Sequence, residues 1–269
     1  METTLMLGIV SPHLSQVPGV SHRFFGRTGG TSPSPWTGLN TSHAVSDAPA
    51  RVDENLARVR FQLGIGKHAL FSANQVHGRD VVIVGDDSDL DDVAARAADA
   101  LVTRVHGAGV GVRTADCAPI LLAVDDGSAV GAAHAGWRGA VGGVIAATVR
   151  ALVDGAGVEP ARLVAAVGPC IGPRAFEVGP EVVAAAAAVV DVDGLVVAGR
   201  GDRACVDLAG LCARLLKQAG VERVDVVGGC TVEQAALYFS HRREHGNTGR
   251  QMSAIARAPP PQLDDETFR

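Results

Sequence analysis

Two apolar runs separated by the tetrapeptide DDGS constrain the fold of this chain more than any other feature of its sequence. The first run, GVGVRTADCAPILLAV, spans residues 109–124, and the second, AVGAAHAG, spans residues 129–136. Their apolar residues follow one another with little alternation, which is typical of strands buried on both faces. Because Asp-Gly is a strong turn signal, we predict that the two runs form a buried antiparallel hairpin.

Further short apolar runs predict more strands around this hairpin. We expect consecutive strands in residues 69–78 and 80–85, on either side of a turn at Gly78. Residues 163–168 and 223–229 are predicted to be additional short buried strands. Two neighbouring pairs of the hairpin type favour a mixed sheet over a purely parallel one.

Three helices are indicated by spacing and by capping residues. Apolar residues recur at helical spacing after Asp207, a candidate N-cap, and this segment ends before Gly220, a candidate C′ residue. Pro180 is expected at the first position of a second helix. Residues 140–157 predict a third helix, directly after the second apolar run.

Composition indicates a globular protein. Of the 269 residues, 47% are hydrophobic, which is enough for a sizeable core and excludes a disordered chain. We therefore predict a mixed α/β fold with one domain over residues 1–269, of which about 258–269 form a frayed tail.

Charge and cysteine content limit the partners and the compartment. The net charge of −5 argues against binding to nucleic acid or to an anionic membrane through bulk electrostatics. No apolar run reaches the roughly 20 residues of a membrane span, and the N-terminal residues lack signal-peptide features. Five cysteines without close pairing fit a reducing cytoplasm. We expect a cytoplasmic monomer, with a homodimer as the alternative.

Three residues at predicted strand ends carry side chains that bind transition metals. They are His77 in NQVHG, Cys117 in TADCAPILL and His134 in AAHAGWRG. Catalytic zinc commonly has three protein ligands and an open fourth position. The predicted hairpin would bring Cys117 and His134 onto paired strands. The structural alternative is a buried cysteine and two hydrogen-bonded histidines, which are common in proteins.

Six motifs, taken in order, resemble those of the YfiH family. They are NQVHG (74–78), ADALVT (98–103), TADCAPILL (114–122), AAHAGWRG (132–139), GPCIGPRAFEVG (168–179) and FSHRREHGNTGR (239–250). RTGGTS (27–32) and GLNTSHAVSDAPARVDENLARV (38–59) extend the resemblance, which covers the chain from about Arg23 to about Met252. Members of that family have been named multicopper polyphenol oxidases, or laccase-like proteins, and purine nucleoside phosphorylases.

The resemblance implies a fold, a metal and substrates. It implies one α/β domain in layers, with mixed β-sheets sandwiched between helices. It implies that His77, Cys117 and His134 bind one zinc ion, and Cu²⁺ can occupy the same donors because affinity peaks at copper. The implied substrates are phosphate and the purine nucleosides adenosine, inosine, guanosine and 5′-methylthioadenosine. Multicopper oxidation fits the residues poorly, because it requires many grouped histidines and the nine histidines here are scattered.

Three arginine and asparagine residues are candidates for contact with substrate. The resemblance places Arg27 at the active site, where its fork of donors can hold phosphate, and the alternative is a solvated loop arginine. Asn40 can hydrogen-bond a ribose or cap a turn. Arg138 lies near a predicted helix N-terminus that favours an anion, or forms a surface salt bridge. Cys117 and Arg27 are the candidate catalytic residues.

Other motif residues are assigned structural roles. Asp116 is predicted to support the metal site from behind, because neighbouring side chains of a regular strand face opposite ways. Glu177 is predicted to lie at a helix start rather than to act as an acid or base, and Cys170 to pack in a turn. Trp137 is either a wall of the pocket or a core anchor.

The glycines and the C-terminal histidines complete the set. We expect Gly136 and Gly139 to adopt backbone conformations closed to other residues. His241 and His245, four residues apart, are predicted to contribute anion contacts or a solvated face rather than a second metal site.

Two reactions are expected of such a pocket. A zinc ion with an open position lowers the pKa of a bound water to about 7, and the resulting hydroxide can attack C6 of adenine, which deaminates adenosine. Phosphorolysis is implied by the resemblance, with Arg27 and Arg138 as candidate anion ligands. The alternatives are a non-catalytic metal-binding module and a cysteine hydrolase with a Cys117–His134 dyad.

Overall fold

Fourteen β-strands and six α-helices form within residues 8–258, the part of the chain that the computed structural model describes. The strands are β1 (Gly8–Ile9), β2 (Ser21–Phe25), β3 (Leu70–Phe71), β4 (Val81–Val84), β5 (Ala100–Thr103), β6 (Gly109–Thr114), β7 (Ala118–Val124), β8 (Val130–Ala135), β9 (Leu163–Val167), β10 (Glu177–Val178), β11 (Val196–Ala198), β12 (Ala204–Val206), β13 (Arg223–Val226) and β14 (Gln251–Ala256). The helices are α1 (Pro49–Leu63), α2 (Leu90–Ala95), α3 (Trp137–Gly142), α4 (Val144–Ala156), α5 (Pro180–Ala187) and α6 (Leu208–Gln218). Of the tail predicted to be frayed, residues 259–269 lie outside the described residues.

Two larger sheets contain most of the strands. The strand order is β13-β9-β7-β8-β5-β4 in the six-stranded sheet and β1-β2-β14-β6-β3 in the five-stranded sheet, while β10, β12 and β11 form a small third sheet. In the six-stranded sheet the edge strands β13 and β4 pair in parallel with their neighbours, and the central pairs are antiparallel. In the five-stranded sheet only β3 pairs in parallel. Both larger sheets are therefore mixed, as predicted.

Three hydrophobic clusters define the layers. One cluster lies between the two larger sheets and includes Val110 of β6 and Leu121 of β7. A second lies on the opposite face of the six-stranded sheet, where Ile120 of β7 packs with Leu152 of α4. A third packs Val59 of α1 against the five-stranded sheet. The two sheets are thus sandwiched between helices, and the predicted layered α/β fold is confirmed.

The predicted core hairpin is present but shorter than expected. Strands β7 and β8 pair in antiparallel register, and residues 125–129 connect them. Residues 109–114, predicted to belong to the same strand as β7, instead form β6 of the other sheet. The single-strand interpretation of residues 109–124 was therefore wrong. The strands in both sheets are buried here, so a continuous apolar run does not indicate where the chain leaves one sheet and enters the other.

The strands predicted on either side of Gly78 also belong to different sheets. Strand β3 joins the five-stranded sheet, whereas β4 is an edge of the six-stranded sheet. The predicted pairing of these two segments was therefore wrong. The chain crosses from the five-stranded to the six-stranded sheet at residues 72–80, returns at residues 104–108, and makes a second crossing in the first direction at residues 115–117.

The helix boundaries largely follow their capping residues. The Asp207 side chain accepts a hydrogen bond from the backbone N–H of Gly210 at 2.9 Å and caps α6. Gly220 follows that helix with a left-handed φ of 89°, and Pro180 begins α5. The predicted helix over residues 140–157 is interrupted at Gly143, whose φ is 96°, and so becomes α3 and α4. No helix within residues 8–258 has the length and apolar character needed to cross a bilayer.

Candidate functional site

The fold brings His77, Cys117 and His134 together from three separate segments. Their potential ligand atoms all lie within 4.8 Å of one another. The distance from Cys117 Sγ to His77 Nε2 is 3.9 Å, and the ring centroids of His77 and His134 are 4.8 Å apart. Two imidazoles and one thiolate are donors that zinc and copper bind, so this set fits one transition-metal ion. Within residues 8–258 it is the one such group of three or more residues.

Each ligand lies where the chain enters or leaves a strand. His77 lies in the first crossing between the sheets, with a left-handed φ of 60°. Cys117 ends the second crossing and directly precedes β7, while His134 lies near the end of the adjacent strand β8. The two crossings and the hairpin end therefore converge on one place.

A buried carboxylate outside the predicted site residues connects two of these segments. Asp99 directly precedes β5 and is 0% exposed, and its Oδ1 lies 2.7 Å from His134 Nδ1. Its oxygens also accept hydrogen bonds from the backbone N–H groups of Val76, His77 and Gly78 at 3.1, 2.9 and 2.6 Å. When His134 donates its Nδ1–H to Asp99, it presents Nε2 to a metal, as carboxylate-supported histidine ligands do.

The sequence contained a usable signal for Asp99. This residue is the acid in ADALVT, one of the six family-like motifs, and it stands at the start of an apolar strand. An acid in such a position is buried, and buried acids are almost always paired. The partner could not be named from the sequence, because His134 is 35 positions away.

The electrostatics of the centre stabilise a thiolate. Burial raises the pKa of the Cys117 thiol, but hydrogen bonds with His134 and His77 outweigh burial and lower this pKa to about 6. Burial lowers the pKa of His134, but its bonds to Asp99 and Cys117 outweigh burial and raise this pKa to about 9. The metal-free centre is therefore a thiolate beside an imidazolium at neutral pH. Metal binding would displace the proton from His134, because only a neutral imidazole is a ligand.

Gly136 leaves space for the ligands rather than adopting a special conformation. Its φ of −66° is open to any residue, so the conformational reason predicted for this glycine was wrong. A Cβ at Gly136 would lie 2.9 Å from Cys117 Sγ and 3.1 Å from His77 Cδ2. Gly139 is similar, since a Cβ there would lie 3.1 Å from the carbonyl oxygen of Gly78. Both glycines allow the close approach of backbone and ligands.

A cavity of about 840 Å³ opens beside the three ligands. Its lining contains the apolar side chains of Trp137, Ile171, Phe176 and Leu208. The same lining contains basic side chains, which are Arg113, Arg138, Arg242, Arg250, His43 and His241. The volume is typical of small-molecule sites. A ligand with both an apolar ring and an anionic group would find partners in this wall.

Arg27 and Asn40 do not border this cavity. Arg27 donates hydrogen bonds to Glu244 and to two backbone carbonyls, and its guanidinium lies 4.7 Å from the centre of the Phe239 ring. Asn40 is 0% exposed, and its Nδ2 donates to Asp47 Oδ2 at 2.8 Å. These contacts favour structural roles for both residues, and their contact with substrate stays a prediction.

Arg138 and Trp137 do border the cavity. Arg138 is exposed, and its guanidinium lies 4.5 Å from the centre of the Trp137 ring. Trp137 also packs against the cluster between the six-stranded sheet and its helices. Trp137 therefore both lines the pocket and packs against the core, so the two interpretations are compatible.

Asp116 fixes the second crossing between the sheets. Its carboxylate accepts hydrogen bonds from Thr231 Oγ1 and from the backbone N–H of Arg242, both at 2.6 Å. Residues 115–117 are not a regular strand, and Asp116 has a φ of 92°, so the alternation argument used for it does not apply. Asp116 supports the segment that carries Cys117 by these bonds.

The remaining motif residues lie away from the metal ligands or on the cavity rim. Glu177 lies in β10 rather than at a helix start, and its ion pair with Arg200 at 2.7 Å lowers the pKa of its carboxyl group. Cys170 is buried, and burial raises the pKa of its thiol. His241 borders the cavity, whereas His245 does not.

Comparisons with known proteins identify the family. The family model described as multi-copper polyphenol oxidoreductase laccase matches residues 21–258. The chain is 41% identical over 243 residues to a Deinococcus radiodurans protein named purine nucleoside phosphorylase, with 88% of each chain covered. It is 36% identical over 250 residues to purine nucleoside phosphorylase YfiH of Escherichia coli, covering 93% of this chain and 99% of that protein. The chain therefore belongs to the YfiH family, as its motifs predicted.

Solved structures of similar proteins share the fold. The crystal structure of Bacillus licheniformis YfiH matches with a TM-score of 0.84 at 30% identity, covering 88% of this chain and 92% of that chain. The crystal structure of YlmD from Geobacillus stearothermophilus matches with a TM-score of 0.84 at 29% identity, covering 93% and 94% of the two chains.

Replacing Gly136 by alanine is expected to weaken metal binding. The added Cβ would be too close to Cys117 Sγ and His77 Cδ2, so both ligands must move. We expect the dissociation constant for Zn²⁺ to rise by about tenfold or more, as when a supporting group of a metal site is disturbed. Gly142→Ala is the matched control, because a Cβ there has no neighbour within 4 Å. Chelator competition measures both variants, and equal affinities would contradict the role given to Gly136.

The metal-free protein is expected to hold Cys117 as a thiolate at neutral pH. Since its pKa is lowered to about 6, thiolate absorbance should appear as the pH rises through about 6 and should be lost below that value. His134→Ala should move this transition to higher pH, toward the pKa of an ordinary thiol, which is about 8.5. The signal is assigned by its disappearance in Cys117→Ser. A wild-type transition near the ordinary value would show that the histidines do not stabilise the thiolate.

Proposed function

We propose that this protein is a zinc-dependent purine nucleoside phosphorylase that also deaminates adenosine. The observation that carries the proposal is that a group of three potential metal ligands borders a cavity lined by both apolar and basic side chains. The names of the Deinococcus radiodurans and Escherichia coli relatives support the class of substrate.

The donor set favours a catalytic over a structural metal. His77, Cys117 and His134 would hold the ion, and the group contains no fourth histidine, cysteine or carboxylate within residues 8–258. Structural zinc sites are normally closed by four protein ligands, whereas catalytic sites keep one position open. When bound, the ion would supply a Lewis acid at the cavity wall. A non-catalytic metal-binding module is therefore the weaker alternative.

Phosphorolysis requires binding and orientation of two substrates. An oxygen of phosphate forms a bond to C1′ of the ribose while the C1′–N9 bond breaks. The purine leaves with the electron pair of that bond and takes up a proton, and ribose 1-phosphate remains. Trp137 and Phe176 are aromatic side chains in the cavity lining, and a purine that stacks on either ring would displace or join the arginine that lies over it. The cavity arginines offer charged donors for phosphate.

The proposed substrates are adenosine, inosine, guanosine and 5′-methylthioadenosine. A cavity of about 840 Å³ falls within the range of small-molecule sites and can take a nucleoside together with phosphate. The side chains of Ile171 and Leu208 provide apolar contact for a methylthio group. In deamination, water adds at C6 of adenine and ammonia leaves, so that adenosine becomes inosine. This second reaction needs no phosphate.

Two other functions can be weighed against this one. Multicopper oxidation requires several copper centres, and the part of the chain between residues 8 and 258 has a single candidate group. A cysteine hydrolase is favoured by one observation, the lowered pKa of Cys117 beside His134. Such a hydrolase would keep its activity after metal removal and lose it on alkylation of the thiol.

Product analysis with adenosine tests the proposed function. Zinc-loaded protein should form adenine and ribose 1-phosphate when phosphate is present, and inosine when phosphate is absent. A chelator should abolish both products because the metal is lost. Cys117→Ala should also abolish both, while Cys205→Ala, in β12 and away from the cavity, should not. Absence of both products from the wild type, or full activity after chelation, would refute a zinc-dependent nucleoside enzyme.

A further inference from the structure

Two arginines near the end of the five-stranded sheet border the cavity. Arg113 of β6 pairs with Met252 of β14, and Arg250 lies two residues before Met252. Arg250 directly precedes β14, and Thr41 links the two residues, because the Thr41 N–H donates to the Arg250 carbonyl oxygen and the Thr41 carbonyl oxygen accepts from Arg113 Nε. Both arginines border the cavity.

Neither of these guanidinium groups has an acidic partner in the described part of the chain. Arg113 Nε donates to the carbonyl oxygen of Thr41 at 2.7 Å. Arg250 Nη1 donates to the carbonyl oxygens of Thr248 and Gly249 at 2.9 and 3.0 Å. These carbonyls hold the side chains in place but do not neutralise their charge.

A cation removed from water requires an anion to offset the lost hydration. Burial lowers the pKa of Arg113 to about 10, which is a measure of that lost hydration. Two adjacent arginines also repel each other in the absence of an anion. An anion that enters the cavity would therefore satisfy both charges at once.

The position of the pair relates it to the metal centre. The charges of Cys117 and Asp116 act on Arg250 and partly offset the effect of burial, which lowers its pKa. Ser42 and His43 also border the cavity. By contrast, Arg27 is neutralised by Glu244 at 3.3 Å and lies outside the cavity wall.

We propose that Arg113 and Arg250 form the phosphate subsite of this cavity. The two guanidinium groups present forked donors to the oxygens of a phosphate dianion, a geometry that arginine is suited to provide. The anion that they hold is inorganic phosphate, placed beside the nucleoside rather than carried by it. This inference rests on the proposed phosphorolysis, and it makes Arg113 and Arg250, rather than Arg27 and Arg138, the main anion ligands.

Kinetics of the zinc-loaded enzyme test the subsite. Arg113→Gln and Arg250→Gln should each raise the KM for phosphate by about tenfold to a hundredfold, the usual effect of losing a charged hydrogen bond, and leave the KM for adenosine within about threefold. Arg113→Lys should retain part of the phosphate affinity because it keeps the charge. Arg150→Gln, on the exposed surface of α4, is the matched control and should change neither KM. An unchanged KM for phosphate in both glutamine variants, or a larger rise in Arg138→Gln, would overturn the assignment.

Direct phosphate binding separates this inference from the proposed function. Equilibrium dialysis of zinc-loaded protein with inorganic phosphate alone should detect binding in the wild type and in Arg150→Gln, and its loss in Arg250→Gln. This result does not depend on turnover, so a wild type that binds phosphate but fails to split adenosine would refute the proposed function alone. Equal phosphate binding by Arg113→Gln, Arg250→Gln and the wild type would refute the subsite alone.

Adenosine 5′-monophosphate tests the source of the phosphate group. If the arginines hold free phosphate beside the nucleoside, the nucleotide should bind no more tightly than adenosine, and phosphate should not compete with adenosine. Tighter binding of the nucleotide that is lost in Arg113→Gln would contradict the proposal, because the pair would then serve a nucleotide.

Discussion

The hydrogen bonds that the buried carboxylate of Asp99 accepts are the interaction on which the candidate site depends. This carboxylate receives the Nδ1–H of His134 and three consecutive backbone N–H groups of the loop that carries His77. One buried residue therefore orients one ligand and fixes the loop of another. Without this carboxylate, the left-handed backbone at His77 would lose its nearest support, and His134 would be free to present either ring nitrogen. The cost of burying the charge is offset by four hydrogen bonds.

The two-sheet architecture explains why metal ligands and cations share one cavity. The chain crosses from the five-stranded to the six-stranded sheet at residues 72–80 and 115–117, and both crossings border the cavity. The six-stranded sheet contributes His134, and the five-stranded sheet contributes Arg113. His134 thus lies near the end of a strand of one sheet, and Arg113 lies near the end of a strand of the other.

The sequence predicted the three candidate ligands better than it predicted the strands and supporting residues around them. The residue types of His77, Cys117 and His134, together with the motif resemblance, were sufficient to predict that these three side chains come together. The division of residues 109–124 between two sheets was missed, because burial on both faces removes the alternation that would have revealed it. Asp99 was missed because its partners are distant in sequence. The reason why glycine is needed at position 136 was also missed, because Cys117 and His77 come close to this position only once the chain is folded.

X-ray absorption at the zinc edge of the loaded protein tests the central claim most directly. One metal bound by a thiolate and two imidazoles should give a single sulfur shell at about 2.3 Å and nitrogen shells at about 2.0–2.1 Å, with the fourth position filled by a light atom from solvent. Cys117→Ser should remove the sulfur shell. A spectrum without sulfur, or with a second sulfur ligand, would contradict the centre described for His77, Cys117 and His134.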